Sequence, residues 1–165
     1  MKKLTSYTRG QTFWLVILRL LIGWHFLYEG IVKILNSGWS AYPYLMDSQG
    51  FFAEYFQDIA VNPGLLSVSN YINIIGLTLV GLGLVLGSFS RIASIGGIVF
   101  LALYYLSHPP FIGAEYMMPT EGSYLWIDKN LIEIGALMVL IYFPTSHIIG
   151  LDRYISKLFK RSHSR

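Results

Sequence analysis

Long apolar runs separated by short polar or proline-containing breaks set the pattern of this chain. Four runs have spanning character: about Phe13 to Leu35, Tyr71 to Phe89, Ile92 to Leu106, and Trp126 to Ile149. A helix that crosses a bilayer needs about 20 apolar residues, and the third run is short before the breaker Ser107-His108-Pro109-Pro110, which puts His108 close to the interface. The first run is too long for a signal h-region and lacks a small-residue cleavage pattern, so it reads as a retained span. Gly81, Gly83, Gly87, Gly96 and Gly97 give the two middle helices small faces that let backbones approach. Between the first two runs, Asp47 or Ser48 is placed to cap a short helix ended by Pro63-Gly64. Its Phe51, Phe52, Tyr55, Phe56 and Ile59 share a face while Glu54, Gln57 and Asp58 point away, which suits a helix lying in the interface plane or over the outer mouth. The predicted fold is all-α: a four-transmembrane-helix bundle forming one membrane domain over 1–165, with outer loops 36–70 and 107–125.

Composition agrees with that pattern. Of 165 residues, 54% are hydrophobic and only 13% charged, against about a quarter charged in soluble domains, and the mean hydropathy is +0.52. The net charge of +3 matters less than its distribution. Lys2, Lys3 and Arg9 precede the first span, Arg91 lies in the turn after the second, and Arg153, Lys157, Lys160, Arg161 and Arg165 follow the fourth. The first long loop has Asp47, Glu54 and Asp58 and no Lys or Arg; the second has Glu115, Glu121 and Asp128 against Lys129. By the positive-inside rule both termini are cytoplasmic, both long loops are outside, and 150–165 is a basic cytoplasmic tail. A bacterial cytoplasmic (inner) membrane, multi-pass arrangement follows as the expectation. The basic tail fits attraction to anionic lipid, and nucleic acid is not an expected partner.

The first span carries Arg19, His25, Glu29 and Lys33. At roughly 100° per residue, setting His25 at zero puts Glu29 near 40°, Lys33 near 80°, Arg19 near 120°, Gly30 near 140° and Gly23 near 160°. Ionisable residues within a span turn toward a protein interior or a water-filled cavity, so this helix is expected to have one inward, polar, close-packing face. With the expected topology, Glu29, Lys33, His108, Asn130 and Glu133 gather in the outer half with His25 below them, a candidate cavity opening outward. Structural alternatives stand beside this reading. Glu29 and Lys33 are four apart in the favourable order and suited to neutralising each other, Glu133 could pair with Lys129, and Arg19 is near enough to the inner surface to snorkel. His25 and His108 each suit a structural role as well.

Several chemistries are excluded. The chain has no Cys, which removes disulfides, thiolate metal sites and iron–sulfur clusters of its own. His25 and His108 differ by some ten residues of vertical travel, roughly 15 Å at 1.5 Å per residue, too far to share one haem. No metal site, phosphate-binding glycine loop or nucleophile elbow is predicted.

The run Arg19-x3-Gly23-x2-Phe26-x3-Gly30-x2-Lys33 resembles the opening of DoxX-family membrane proteins. Gly81 through Gly87 to Arg91 is similar to that family's glycine-rich second helix and following basic turn, and Gly150-Leu151-Asp152-Arg153 to its closing sequence. The resemblance extends over nearly the whole chain. It implies a four-helix membrane bundle related to the DoxD subunit of thiosulfate:quinone oxidoreductase. Many relatives carry an acidic residue in the second helix, where this chain has Asn70 and Asn73, which weakens a proton relay through that helix. The leading expectation is a subunit of a quinone-linked oxidoreductase system, served by a periplasmic or membrane redox partner, embedded among lipids and compatible with a homo-oligomer. In it His25 and Glu29 exchange protons, Lys33 stabilises a reduced oxygen anion, and Arg19, His108, Asn130 and Glu133 line the quinone site. The alternative is a non-enzymatic scaffold or assembly factor whose polar stripe docks a partner's transmembrane helix. A small transporter, needing two alternately opened gates, is a weaker third class.

Overall fold

A computed structural model gives the structure of residues 7–111, 113–117 and 125–155. The first helix, α1 (Arg9–Leu35), opens on a capping box in which the Thr8 hydroxyl accepts from the Gln11 amide and the Gln11 side chain accepts from the Thr8 amide, so two otherwise orphaned amides are satisfied. Two short helices follow, α2 (Tyr42–Met46) and α3 (Ala53–Val61). Then come α4 (Pro63–Leu86), α5 (Ser90–Ser107) and α6 (Lys129–Tyr142).

Among the described residues three helices, α1, α4 and α5, are long and apolar enough to cross a membrane. Their apolar residues point outward in quantity: Leu21, Trp24 and Tyr28 on α1, Ile72, Ile75 and Leu79 on α4, and Ile92, Ile95 and Val99 on α5 are all exposed. So broad an apolar coat exceeds the few hundred Å² that soluble monomers show and fits hydrocarbon as solvent. Inside, Ile22 and Phe26 of α1, Leu77, Val80 and Leu84 of α4, Ala93 and Leu101 of α5, and Leu137 and Leu140 of α6 form one core.

Helix boundaries differ from the sequence reading in three places, each for a local reason. Pro63 lies just past the end of α3, as expected, and also begins the second long helix: its fixed φ and missing N–H suit the first helical position, and the Asn62 side chain accepts from the Gly64 and Leu65 amides. That helix therefore starts at Pro63, not Tyr71. The last helix is shorter than the expected span from Trp126 to Ile149. Asp128 caps its start by accepting from the Leu131 amide, and Pro144 disfavours helical backbone at Phe143, so it stops at Tyr142. At 1.5 Å per residue, α6 is about 21 Å long. Lastly, Asp47 and Ser48 do not cap α3, whose first residue follows Phe52 without a side-chain cap; both are buried elsewhere.

The aromatic face expected of α3 is divided. Phe56 and Ala60 pack with Ala41 and Leu45, flanked by Trp39, Met46, Ile59 and Leu66, in a second small core, while Phe51, Phe52 and Tyr55 stay exposed.

Along α1 and α4 the contact is close, and glycine makes it so. A Cβ on Gly81 would strike the backbone of Leu27, one on Gly30 would strike Thr78, and one on Gly23 would strike Leu84 and Val85. α5 packs beside α4, where Gly83 faces Ala93 and Gly96 faces Val80, and α6 packs along α5. α1 and α6 touch over a short stretch only, which leaves a seam between them.

Candidate functional site

The polar stripe of α1 is divided between two neighbours. Arg19, Gly23 and Gly30 are buried, the two glycines against α4. His25, Glu29 and Lys33 lie on the shoulder turned to α6. There His25 Nδ1 donates to Glu133 Oε1 at 2.7 Å, an ion pair whenever the imidazole is protonated. One turn further along, Lys33 Nζ donates to Glu29 Oε2 at 2.6 Å and also reaches the Glu29 carbonyl. The Lys33 ammonium lies 5.2 Å from the centre of the Trp39 ring, a cation–π contact that covers it from the loop side. Lys129 at the start of α6 lies within electrostatic reach of Glu29.

Accessibility grades along this row. The Lys33 and Glu133 side chains are 12% and 16% exposed, His25 31% and Glu29 47%. Glu29 and His25 are thus reachable from the side of the seam, while Lys33 and Glu133 are largely covered by protein. Glu133 also has an unused acceptor, since Oε2 is buried with no hydrogen-bond partner among the described residues. A carboxylate oxygen shut away from water without a donor costs free energy comparable to a lost hydrogen bond, so this atom is primed to receive a donor.

His108 and Asn130 lie apart from this row. Asn130 donates to Asp128 Oδ2 at 2.7 Å and completes the cap of its own helix. His108 caps the end of α5, stacked on Tyr44 at 4.0 Å and beside Tyr116 at 4.8 Å, with Nε2 3.7 Å from Asp47 Oδ2. No hydrogen bond or ion pair among the described residues joins either of them to His25, Glu29, Lys33 or Glu133. Asn70 and Asn73, at the positions where an acid was sought, hold the architecture: Asn70 accepts from the Ala41 amide and Asn73 from the Tyr104 hydroxyl.

Arg19 belongs to the other end of the molecule. It is buried, and its Nη1 donates to Thr145 Oγ1 at 3.2 Å in the segment after α6. Gly87, in the left-handed conformation (φ 63°), ends α4 beside the guanidinium, where a Cβ would crowd it. Gly150 lies against Gly87, the Leu151 and Asp152 amides donate to the Leu86 and Gly87 carbonyls, and the Asp152 carboxylate accepts from the Phe89 and Ser90 amides at the start of α5. Asp152 also attracts Arg19 electrostatically. The Gly150-Leu151-Asp152 motif is therefore a latch that ties the chain after α6 to the α4–α5 turn. Thr145 carried no distinguishing sequence signal and Asp47 was marked only as a helix cap, whereas Asp152 was marked by its motif. The described basic residues Arg9 and Arg91 lie in the first turns of α1 and α5, and Arg153 follows the latch, its amide donating to the Gly150 carbonyl.

A chain whose described elements are helical, with three membrane-length helices among them, an apolar coat and ionisable side chains along one seam, is a membrane protein. The DoxX family model matches residues 14–109, more than half of the chain, and the protein belongs to the DoxX family. That family is one of membrane proteins often linked to oxidoreductase-related systems. The match runs from within α1 to just past the end of α5 and stops before Glu133 and the Asp152 latch, so it is narrower than the resemblance read from the sequence. No curated protein and no solved structure matches the chain.

Proposed function

We propose that the seam between α1 and α6 is the functional site of an inner-membrane subunit of a quinone-linked oxidoreductase system. The observation that carries this reading is the His25–Glu133 pair with its unused buried carboxylate oxygen, set in a row of ionisable groups whose Glu29 and His25 members are accessible from the side. In this arrangement α6 serves as a fourth span, both termini are cytoplasmic, and the Lys33 end of the seam opens to the periplasm. Orientation rests on the basic residues being concentrated at the opposite end.

The residues suit a quinone head group. Glu133 Oε2 can accept from a quinol hydroxyl, and the Lys33 ammonium can donate to a quinone carbonyl. The exposed apolar flank of α1, with Tyr28 and Val32 next to the ionic shoulder, offers a surface for an isoprenoid tail. A bound quinone would supply the redox chemistry, taking up two electrons and two protons. The chain's part is to hold protons at stated atoms. His25 Nδ1 and Glu133 Oε1 share one across 2.7 Å, and Glu29, half exposed, can trade protons with solvent at the seam's open edge. Lys33 contributes fixed positive charge where a reduced oxygen develops negative charge. Electrons come from a periplasmic or membrane partner, and assembly as a homo-oligomer is compatible with this site.

Purification in mild detergent followed by organic extraction tests the proposal. Co-purified quinone, or saturable binding of added menaquinone or ubiquinone that falls in the Glu133→Gln variant, is the expected result. A preparation that neither contains nor binds quinone contradicts it.

One observation favours a second reading. Glu29 is about half exposed in the seam, as a polar contact for a partner's transmembrane helix would be. If the protein is a scaffold, neutralising the pair with Glu29→Gln and Lys33→Met abolishes co-purification of a partner and leaves quinone binding unchanged.

A further inference from the structure

At the end of the bundle that carries α2 and α3, polar side chains from three segments meet out of solvent. Asp47 and Ser48 follow α2, Ser107 and His108 end α5, and the strap of residues 109–111 and 113–117 passes beside them. Asp47, Ser48 and Ser107 are all buried. The Ser48 and Ser107 hydroxyls are hydrogen-bonded to each other, and Ser107 Oγ lies 3.1 Å from His108 Nδ1. The imidazole packs against the Tyr44 and Tyr116 rings. Asp47 Oδ1 accepts from the Met117 amide at 3.1 Å, and Asp47 Oδ2 is 3.7 Å from His108 Nε2, a buried nitrogen with no direct hydrogen-bond partner among the described residues. Gln49 reinforces the same junction: its amide donates to the Ser107 carbonyl and its side chain to the Glu115 carbonyl. Tyr116 returns its hydroxyl to the Pro109 carbonyl.

We infer that this junction is an acid-released clasp, in which neutral His108 holds the strap closed against the end of α2 and protonation of His108 frees it. A neutral ring suits the site. With its proton on Nε2 directed toward Asp47, its Nδ1 is left to accept from Ser107, and the ring packs on two aromatic side chains. Protonation puts a proton on Nδ1, so Ser107 must act as acceptor and the Ser48–Ser107 pair must reorganise.

The groups facing the imidazole decide the direction. Tyr44 and Asp47 face it from the end of α2, Ser107 from its own helix and Tyr116 from the strap; Tyr104 packs edge-on against Tyr44, and Asp128 acts on Tyr44 at longer range. Burial holds His108 below its ordinary value of 6.5, outweighing the attraction of Asp47. Burial likewise raises the Tyr44 and Tyr116 phenols, which stay neutral. A histidine that binds its proton less tightly in the closed junction than in the open one favours closure fully above 6.5. It loses that contribution as the pH falls through the lowered value. A shift from neutral to mildly acid surroundings is the range in which histidine switches operate.

The clasp does not rest on the quinone reading, and its test does not involve quinone. Because the chain has no cysteine, a single Glu115→Cys substitution, whose backbone carbonyl keeps the bond from Gln49, places one spin label on the exposed strap. In the full chain in lipid nanodiscs, the label is expected to be immobilised at about pH 8 and mobile at about pH 5, with one midpoint below the ordinary histidine value. His108→Gln should remove the transition, and Asp47→Asn, which withdraws the charge favouring the protonated ring, should move the midpoint to lower pH. A transition that survives His108→Gln, a midpoint that rises in Asp47→Asn, or a label whose mobility is unchanged across this range overturns the proposal. Should the His108 variant not fold, the ring resonances of His108 in the labelled parent decide: a shared midpoint supports the clasp, and separate midpoints contradict it.

Discussion

α1 has two flanks, and they are built on opposite principles. Toward α4 its glycines let backbone meet backbone, with Gly81 seated on Leu27 and Gly30 on Thr78. Toward α6 it presents His25, Glu29 and Lys33 across a sparse contact bridged by Glu133. Association of helices in lipid depends on close packing and hydrogen bonds, because hydrocarbon is as apolar as leucine. The glycine flank supplies the packing that fixes α1 in place. The ionic flank is then free to carry groups that are costly in a membrane, and that cost is a reason to assign it function.

The largest effect that separates the flanks is expected from Gly81→Leu. A side chain there has only backbone to displace, and overpacking of this kind costs about 3 kcal/mol or more. Size-exclusion profiles in detergent should show no monodisperse species. A normal profile would mean that the close α1–α4 contact is not what holds the helix. Asp152→Ala acts at the latch, where the Phe89 and Ser90 amides and the neighbourhood of Arg19 lose their carboxylate. Loss of such a cap costs about 1 to 2 kcal/mol, visible as a lowered thermal midpoint, with Asp152→Asn falling between the two.

Glu133→Gln sharpens the contrast from the other flank. The amide retains a hydrogen-bonding group opposite His25, so the melting temperature should change little, whereas quinone affinity should fall about tenfold, or about 1.4 kcal/mol. A variant that melts early and still binds quinone normally would reverse the roles given to the two flanks. The smallest effect belongs to Gly135 on α6, where an added Cβ meets nothing within 4 Å. Gly135→Ala should raise helix stability by about 0.5 to 1 kcal/mol, and an equal loss at Gly135 and Gly81 would show that glycine position has no special meaning.

The hydrophobic pattern already displayed the long helices, and the helical wheel already put Arg19, His25, Glu29 and Lys33 on one side of α1. What it could not display was how that side is shared. A sector of about 120° is wide enough to touch two neighbours, and only the packing assigns Arg19 to the latch while His25, Glu29 and Lys33 turn to α6. Pro63 was read as a stop because proline breaks helix interiors, yet the same property favours it as a first residue when Asn62 stands before it. Pro144 was passed over within an apolar run, and it ends α6. The partnership of His108 with Asp47 spans residues on different segments. Such a pairing depends on how α2 folds onto α5, which periodicity does not encode.

The central claim, that the ionic seam of α1 and α6 is where a quinone is held, is tested most directly by labelling the membrane-embedded protein with a photoreactive quinone and mapping the modified peptides. Labels confined to the stretches around His25 to Lys33 and Lys129 to Ala136, and displaced by excess menaquinone or ubiquinone, are the predicted result. Labels spread over the outward faces of α4 and α5, or no displaceable label at all, would contradict the account.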